Sequence, residues 1–158
     1  MTRRLALSCL GASLFLSLAV GVALAVADEV VDGNTLVVEG QPMRLFGVDA
    51  FELQQTCLDG RGEPWHCGVA AKAALAELVQ DQAIACTVVD DNSEDDAYIA
   101  RCTVRDEVDL GGYLVRAGLA LADRDVADDY VPLEQSAKAA AAGAWGGTFV
   151  PPWVWRGR

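Results

Sequence analysis

The chain has 158 residues, with 12 lysines and arginines against 23 aspartates and glutamates, and a formal net charge of −11. This length suits one small domain with a hydrophobic core and excludes a large multidomain protein. The acidic balance counts against a polynucleotide partner, because nucleic-acid binding depends on lysine and arginine to neutralise phosphates.

The N-terminal segment has the composition of a secretory signal peptide. Arg3 and Arg4 precede an uncharged apolar run, Leu5–Val26, which ends in an Ala-Val-Ala cleavage site. We therefore expect a signal peptide over residues 1–27, one domain over residues 28–158, and a periplasmic or secreted location. The apolar run is also long enough to cross a bilayer, so an uncleaved membrane anchor is the alternative. Removal of the segment makes the net charge two units more negative, because it contains two arginines and no acidic residue.

The next stretch predicts a small meander of short strands that end in acidic residues. Apolar and β-branched runs between turn residues predict strands at Val30-Val31, Thr35–Val38 and Met43–Val48. The polar residues in this apolar framework are Asp32, Asn34, Arg44, Asp49 and Glu52. Carboxylates and an arginine gathered at strand ends can hold a hard cation and a phosphate. The alternative is that Asp32 and Asn34 only form a turn and Asp49 only ends a strand.

Strand and helix patterns alternate through the remaining chain. Gln54–Trp65 is polar and contains glycine, which predicts a loop over the mouth of the site. An apolar stripe at helical spacing predicts a first helix from about Gly68 to Gln80. The further predicted elements are strands at Ala83–Val89 and Tyr98–Val104, a short strand at Val108–Leu110, a second helix at Leu110–Ala117, and a third helix opened by Pro132 with the body Leu133–Ala142.

Two acidic segments and an aromatic tail complete the pattern. Asp90–Asp96 is interpreted as a solvated loop, because an EF-hand loop would need glycine and glutamate where Asp95 and Arg101 stand. Asp123–Asp129 is predicted to be a second acidic loop. The tail Phe149–Arg156 is predicted to be an extended strap packed on the domain, with an exposed aromatic platform as the alternative.

Four cysteines follow the N-terminal segment: Cys57, Cys67, Cys86 and Cys102. An even number in an oxidising compartment predicts two disulfides, for which three connectivities exist. We favour Cys57–Cys67, which closes a short loop, and Cys86–Cys102, which joins two strands predicted to be neighbours. A zinc site is the alternative, but the spacing contains no C-x-x-C pair and His66 is the only histidine.

Motifs spread along the chain match one protein family in the same order. Asp32–Thr35 corresponds to the pattern D-G-D-T, and Arg44–Glu52 corresponds to R-L-x-G-[IV]-D-x-P-E. The likeness continues through Gly118–Leu121, Glu134, Ala137-Lys138, Gly143–Trp145 and Pro151–Arg156. Taken together, these motifs resemble the staphylococcal-nuclease, or thermonuclease-like, family over essentially the whole chain after the N-terminal segment.

The resemblance implies an α+β, mainly β fold: a five-stranded OB-type barrel with about three packed helices. It also implies Ca²⁺-dependent hydrolysis of nucleic-acid phosphodiester bonds. Matched position by position, Asp49 is a metal ligand, Glu52 the general base and Arg44 a phosphate-binding arginine. Asn34 takes the second metal position, with Asp32 beside it as a further candidate ligand.

The sequence departs from the family pattern at three positions. Asn34 replaces a metal-binding aspartate and brings an amide oxygen without negative charge, so we expect weakened Ca²⁺ binding. Ala97 stands where the family has its second phosphate-binding arginine, and Phe51 where the family has proline. On a strand, Arg101 and Arg105 lie four and eight residues beyond the arginine position, so either would need a rearranged loop to substitute.

These departures predict a nuclease whose activity is weak or lost. A positioned donor to developing charge is worth about 10²–10³ in rate, and general-base catalysis about 10²–10⁴. Losing one arginine and one ligand charge removes roughly 4–8 kcal/mol of transition-state stabilisation if the two losses add. Nucleic acid is the partner that the resemblance implies, although the acidic charge disfavours it. We expect no stable membrane contact once the signal segment is removed.

The alternative is a non-catalytic barrel that serves as a binding or structural module of the cell envelope. The position of nearby charges distinguishes the two hypotheses. Arg101 or Arg105 beside Asp49 would favour the nuclease, whereas Asp95 and Asp96 facing the site would favour the non-catalytic module.

Overall fold

The computed structural model describes residues 27–90, 97–105 and 107–157. They form a mixed α+β fold, mainly strands with four helices, in agreement with the predicted class. The predicted signal peptide lies outside these ranges except for Ala27, which begins the first strand. Within the described ranges, no helix combines the length and the apolar character needed to cross a membrane.

The elements are short and follow one another closely along the chain. The strands are β1 (Ala27–Val30), β2 (Thr35–Val38), β3 (Gln41–Leu45), β4 (Val48–Ala50), β5 (Cys57–Leu58), β6 (Pro64–Trp65), β7 (Ile84–Asp90), β8 (Tyr98–Val104), β9 (Val108–Asp109) and β10 (Ala120–Ala122). The helices are α1 (Cys67–Val79), α2 (Leu110–Arg116), α3 (Val131–Ala139) and α4 (Pro152–Trp155).

The main sheet has the strand order β1-β2-β3-β8-β7, with β9 paired to β8. Its neighbours pair antiparallel except for β3 and β8, which pair in parallel and bring Arg44 opposite Ile99. Parallel pairing needs a long crossover, which the chain supplies with α1 between the two strands. In the described ranges β1 and β7 end the path without pairing to each other, so the closed barrel implied by the resemblance is not found there.

The hydrophobic core lies where this sheet meets α1 and α2. Side chains alternate between the two faces of a strand, and Leu36 of β2 and Val104 of β8 are fully buried. Leu75 of α1 and Leu114 of α2 are also fully buried and belong to the same cluster. Burial of each such side chain stabilises the fold by about 1.5–3 kcal/mol relative to exposure, which fixes both helices against the sheet.

The single strand predicted over Met43–Val48 is wrong in one respect, because a turn interrupts it. Gly47 has φ of +70°, a conformation that L-residues with a side chain rarely adopt. A Cβ at this position would also lie 3.2 Å from the Tyr130 ring. The turn lets β4 leave the main sheet and pair with β10, where Asp49 stands opposite Leu121. No strand was predicted at β10.

The predicted loop Gln54–Trp65 contains a small hairpin formed by β5 and β6. Leu58 exchanges two backbone hydrogen bonds with Thr148, at 2.9 and 3.1 Å, which tie the hairpin to the C-terminal tail. The structure has the two disulfides Cys57–Cys67 and Cys86–Cys102, the pairing that the sequence analysis favours. The second joins directly opposed residues of β7 and β8.

The third helix ends three residues earlier than its alanine-rich sequence predicts. Ala141 has φ of +49°, and the Ala142 N–H bonds back to the Ala137 carbonyl at 2.9 Å. This turn brings Gly143 against Gly118, where a Cβ on residue 118 would lie 2.0 Å from the Ala142 oxygen. Close backbone contact therefore outweighs the helix propensity of alanine.

The C-terminal tail differs from an extended strap because residues 152–155 form α4. Pro152 is buried, and the Phe149 ring meets the Phe51 ring edge-on at 5.2 Å. Trp153 packs against the same cluster, whereas Trp155 is 47% exposed. The tail is thus a packed element that ends close to β4.

Candidate functional site

The five site residues predicted in the meander all line one cleft of about 410 Å³. The residues are Asp32, Asn34, Arg44, Asp49 and Glu52. They come from the β1–β2 turn, from β3, from β4 and from the segment after β4. Arg156, immediately after α4, also lines the cleft and was not predicted to do so. The fold therefore gathers the predicted residues and adds a cation to them.

The β1–β2 turn brings Asp32 and Asn34 to the cleft. Asp32 Oδ1 accepts a hydrogen bond from the Asn34 backbone N–H at 2.9 Å, so this carboxylate also stabilises the turn. Gly33 packs so closely that a Cβ there would lie 2.7 Å from the Ala50 Cβ and 2.8 Å from the Ala71 Cβ. Asp32 and Asn34 therefore both form the turn and line the cleft.

Asp49 and Glu52 are held by backbone contacts around β4. Asp49 is only 6% exposed, in the strand pair of β4 and β10. The Glu52 N–H donates to Gln55 Oε1 at 3.1 Å, and the Gln55 N–H donates to the Glu52 carbonyl at 2.7 Å. The first turn of α1 lies against this segment, since a Cβ on Gly68 would be 1.7 Å from the backbone carbonyl oxygen of Glu52. The two carboxylates are thus fixed in relation to each other.

Arg156 binds both of these carboxylates. Its Nη1 donates to Asp49 Oδ1 at 2.8 Å and its Nη2 donates to Asp49 Oδ2 at 2.6 Å. Nη1 also contacts Glu52 Oε1. The hydrogen bond to Asp49 raises the pKa of Arg156 against the effect of burial, and the contact with Glu52 raises it further. This is a bidentate arginine–carboxylate pair, the strongest type of charged hydrogen bonding.

Neither Arg101 of β8 nor Arg105, immediately after β8, replaces the arginine that is missing at Ala97. Ala97 is 8% exposed, and neither Arg101 nor Arg105 is among the residues that line the cleft. Arg101 donates to Asp129 at 2.8 Å, and its guanidinium lies 4.2 Å from the centre of the Phe46 ring. Burial would lower the pKa of Arg101, but the hydrogen bond and charge of Asp129 contribute to a net rise.

Arg105 donates to Gln82 at 3.0 Å, on the side of β7. Neither arginine therefore lines the cleft with Asp49, and the placement that would have favoured the nuclease is not found in the described residues. Asp95 and Asp96 would favour the non-catalytic hypothesis if they faced the site. Both lie outside the described residues.

We tested the implied calcium ion against the ligand atoms of the cleft. Ca²⁺ takes six to eight oxygen ligands from carboxylates, carbonyls and water, and its affinity depends on the number of charged ligands. Both oxygens of Asp49 accept from Arg156, Asp32 Oδ1 accepts within its turn, and Asn34 contributes no charge. The described ranges contain no group of three or more His, Cys, Asp or Glu side chains placed to hold a metal. The residues in this arrangement do not fit Ca²⁺.

A larger groove of about 1030 Å³ adjoins the cleft and shares Asp49 and Asp123 with it. Glu134, only 3% exposed, accepts there from Arg124 at 2.7 Å and from Lys138 at 3.1 Å. The Lys138 ammonium lies 4.3 Å from the centre of the Trp145 ring. These side chains bond to one another, so a charged network lines the groove beside the tail.

No family model matches the chain. The chain is similar to a curated protein of Rhizobium meliloti (strain 1021) that is named succinoglycan biosynthesis protein ExoI. The two are 33% identical over 119 residues, which cover 73% of this chain and 61% of that protein. The chain therefore spans less than two thirds of the length of its relative.

Proposed function

We propose that the chain is an exported protein of the staphylococcal-nuclease type whose Ca²⁺-dependent phosphodiester hydrolysis is weak or lost. The convergence of Asp32, Asn34, Arg44, Asp49 and Glu52 in one cleft supports the family assignment. The strand order β1-β2-β3-β8-β7 supports a five-stranded, partly open OB-type arrangement. The observation that carries the impaired chemistry is the binding of both Asp49 oxygens by Arg156.

Three features of the cleft weaken the reaction that the family performs. The contact with Arg156 occupies one of the two Glu52 carboxylate oxygens that could take a proton from water. Asn34 supplies no charge for a cation, and the buried Ala97 supplies no donor for a phosphate. Loss of a positioned donor alone lowers the rate by about 10²–10³.

The charge of the cleft also disfavours a polynucleotide. Arg44 and Arg156 are the basic residues in its lining, against four acidic residues: Asp32, Asp49, Glu52 and Asp123. Because Arg156 is already paired with carboxylates, little positive potential faces outward to attract phosphates. A small or single-stranded substrate is therefore favoured over duplex nucleic acid in any residual activity.

A non-catalytic module of the cell envelope is the second candidate. Arg156 neutralises the carboxylates on which catalysis would depend, and this arrangement requires no bound metal. The similar protein is named for succinoglycan biosynthesis.

A cleavage assay tests the proposal. The full chain is expressed, purified and incubated with single-stranded DNA or RNA at millimolar Ca²⁺, alongside the variant Glu52→Gln. We expect at most weak cleavage by the unmodified protein, and we expect much faster cleavage when Asn34→Asp, Ala97→Arg and Arg156→Ala are combined. Glu52-dependent cleavage by the unmodified protein at the rate of the combined variant would contradict the impaired chemistry. A combined variant that folds but remains inactive would contradict the family-type site.

A further inference from the structure

The cleft contains a cation that belongs to the chain itself. The Arg156 guanidinium bridges Asp49 and Glu52, which lie 107 and 104 positions earlier in the chain. We infer that Arg156 is the resident cation of the cleft and determines its cation specificity, because it holds both Asp49 oxygens and so competes with Ca²⁺ for them. The inference rests on the proposed function only in treating Asp49 as a ligand-type residue.

The geometry of the contact matches a cation site in which a guanidinium takes the place of a metal ion. Two parallel N–H···O bonds, at 2.8 and 2.6 Å, use both carboxylate oxygens of Asp49. The Asp49 side chain is 9% exposed and the Arg156 side chain 27% exposed, so water competes only weakly for the pair. A dication could approach the same oxygens only if the like-charged guanidinium moved away first.

The position of Arg156 is set by packed structure. Pro152 is buried at the start of α4, and the Arg156 N–H bonds to the Pro152 carbonyl at 3.0 Å. Before α4, the Val150 carbonyl accepts from Gln55 Nε2 at 2.6 Å, and Gln55 in turn holds the Glu52 backbone. Gln55 thus anchors both the segment that carries Glu52 and the segment that leads to Arg156. Arg156 is therefore presented to the carboxylates by the fold.

The expected effect follows from the strength of the pair. If an arginine–carboxylate pair must open before a ligand binds, the apparent affinity equals the intrinsic affinity multiplied by the fraction of time that the pair is open. For charged hydrogen bonds of ordinary strength, that fraction is about one tenth to one hundredth. Removal of the guanidinium should therefore strengthen Ca²⁺ binding by about ten- to hundredfold.

Calorimetric titration with Ca²⁺ alone tests the inference on the full chain. We compare the unmodified protein with Arg156→Ala, with Arg156→Lys, and with Arg61→Ala, a matched charge removal at an exposed turn that does not line the cleft. We expect Ca²⁺ to bind at least tenfold more tightly to Arg156→Ala. Arg61→Ala should behave as the unmodified protein does. Arg156→Lys should be intermediate, since lysine keeps the charge but cannot bridge both oxygens.

Two results would overturn the inference. One is an affinity for Ca²⁺ that stays within twofold of the unmodified protein in Arg156→Ala. The other is a gain in affinity that persists when Asp49→Asn is added. If Arg156→Ala does not fold, the lysine variant decides, and an affinity equal to that of the unmodified protein then refutes the inference. Because calorimetry reports binding without cleavage, failure of the nuclease assay does not alter this outcome.

Discussion

Replacement of Gln55 by leucine tests whether the acidic segment and the C-terminal tail are held as one unit. The Gln55 side chain is fully buried, accepts from the Glu52 N–H at 3.1 Å and donates to the Val150 carbonyl at 2.6 Å. Leucine has a similar volume, so the change removes two polar contacts without opening a large cavity. It leaves one backbone donor and one backbone acceptor without these partners.

The magnitude follows from those two groups. A buried polar group left without its partner destabilises a protein by about 1–3 kcal/mol. After a small gain from the more apolar side chain, Gln55→Leu should lower the free energy of unfolding by roughly 2–5 kcal/mol. The total stability of a domain is only about 5–15 kcal/mol, so this loss is easily measured.

Urea denaturation followed by tryptophan fluorescence provides the measurement. Gln54→Leu is the matched control, because Gln54 is exposed and the chemical change is the same. We expect the control to change stability by less than about 0.5 kcal/mol. A loss in Gln55→Leu that is no larger than in the control would refute the reasoning that Gln55 joins the two segments.

Three further changes test other parts of the structure. Gly68→Ala should destabilise by about 1–3 kcal/mol in thermal denaturation because its Cβ would meet the Glu52 carbonyl, whereas stabilisation, the usual result inside a helix, would contradict this contact. Glu134→Ala should lower the unfolding free energy by roughly 1–3 kcal/mol through loss of two charged hydrogen bonds, and an unchanged urea midpoint would contradict it. Burial and the hydrogen bond to Asp109 raise the pKa of Tyr130 above its ordinary value of 10. The free energy of unfolding should therefore fall as the pH rises above 10, by up to about 1.4 kcal/mol per pH unit. An equally steep fall in Tyr130→Phe would contradict this pKa shift.

The elements with strong local patterns could be predicted from the sequence. The predicted strands Thr35–Val38 and Tyr98–Val104 have the bounds of β2 and β8, because β-branched and aromatic residues alternate there with a buried face. The first helix was predicted within one residue at each end, since its apolar stripe repeats at helical spacing. Local periodicity thus fixed the framework that carries the cleft.

The features that depend on distant contacts could not be predicted. Ala120-Leu121-Ala122 has no strand signal of its own and becomes β10 only by pairing with β4. Arg156 lies 104 residues from Glu52, and no local pattern relates the two. One signal was present: Pro152 suits the first position of a helix, which predicts α4 in place of an extended strap. The direction of the arginine after that helix depends on the packed fold.

Arg156 binds the Asp49 carboxylate at the position where the related chemistry would use a calcium ion. A crystal structure of the protein grown at millimolar Ca²⁺ tests this most directly. We expect both Nη atoms of Arg156 to remain within hydrogen-bonding distance of the Asp49 oxygens. A calcium ion coordinated by Asp49, with the Arg156 side chain displaced, would contradict it.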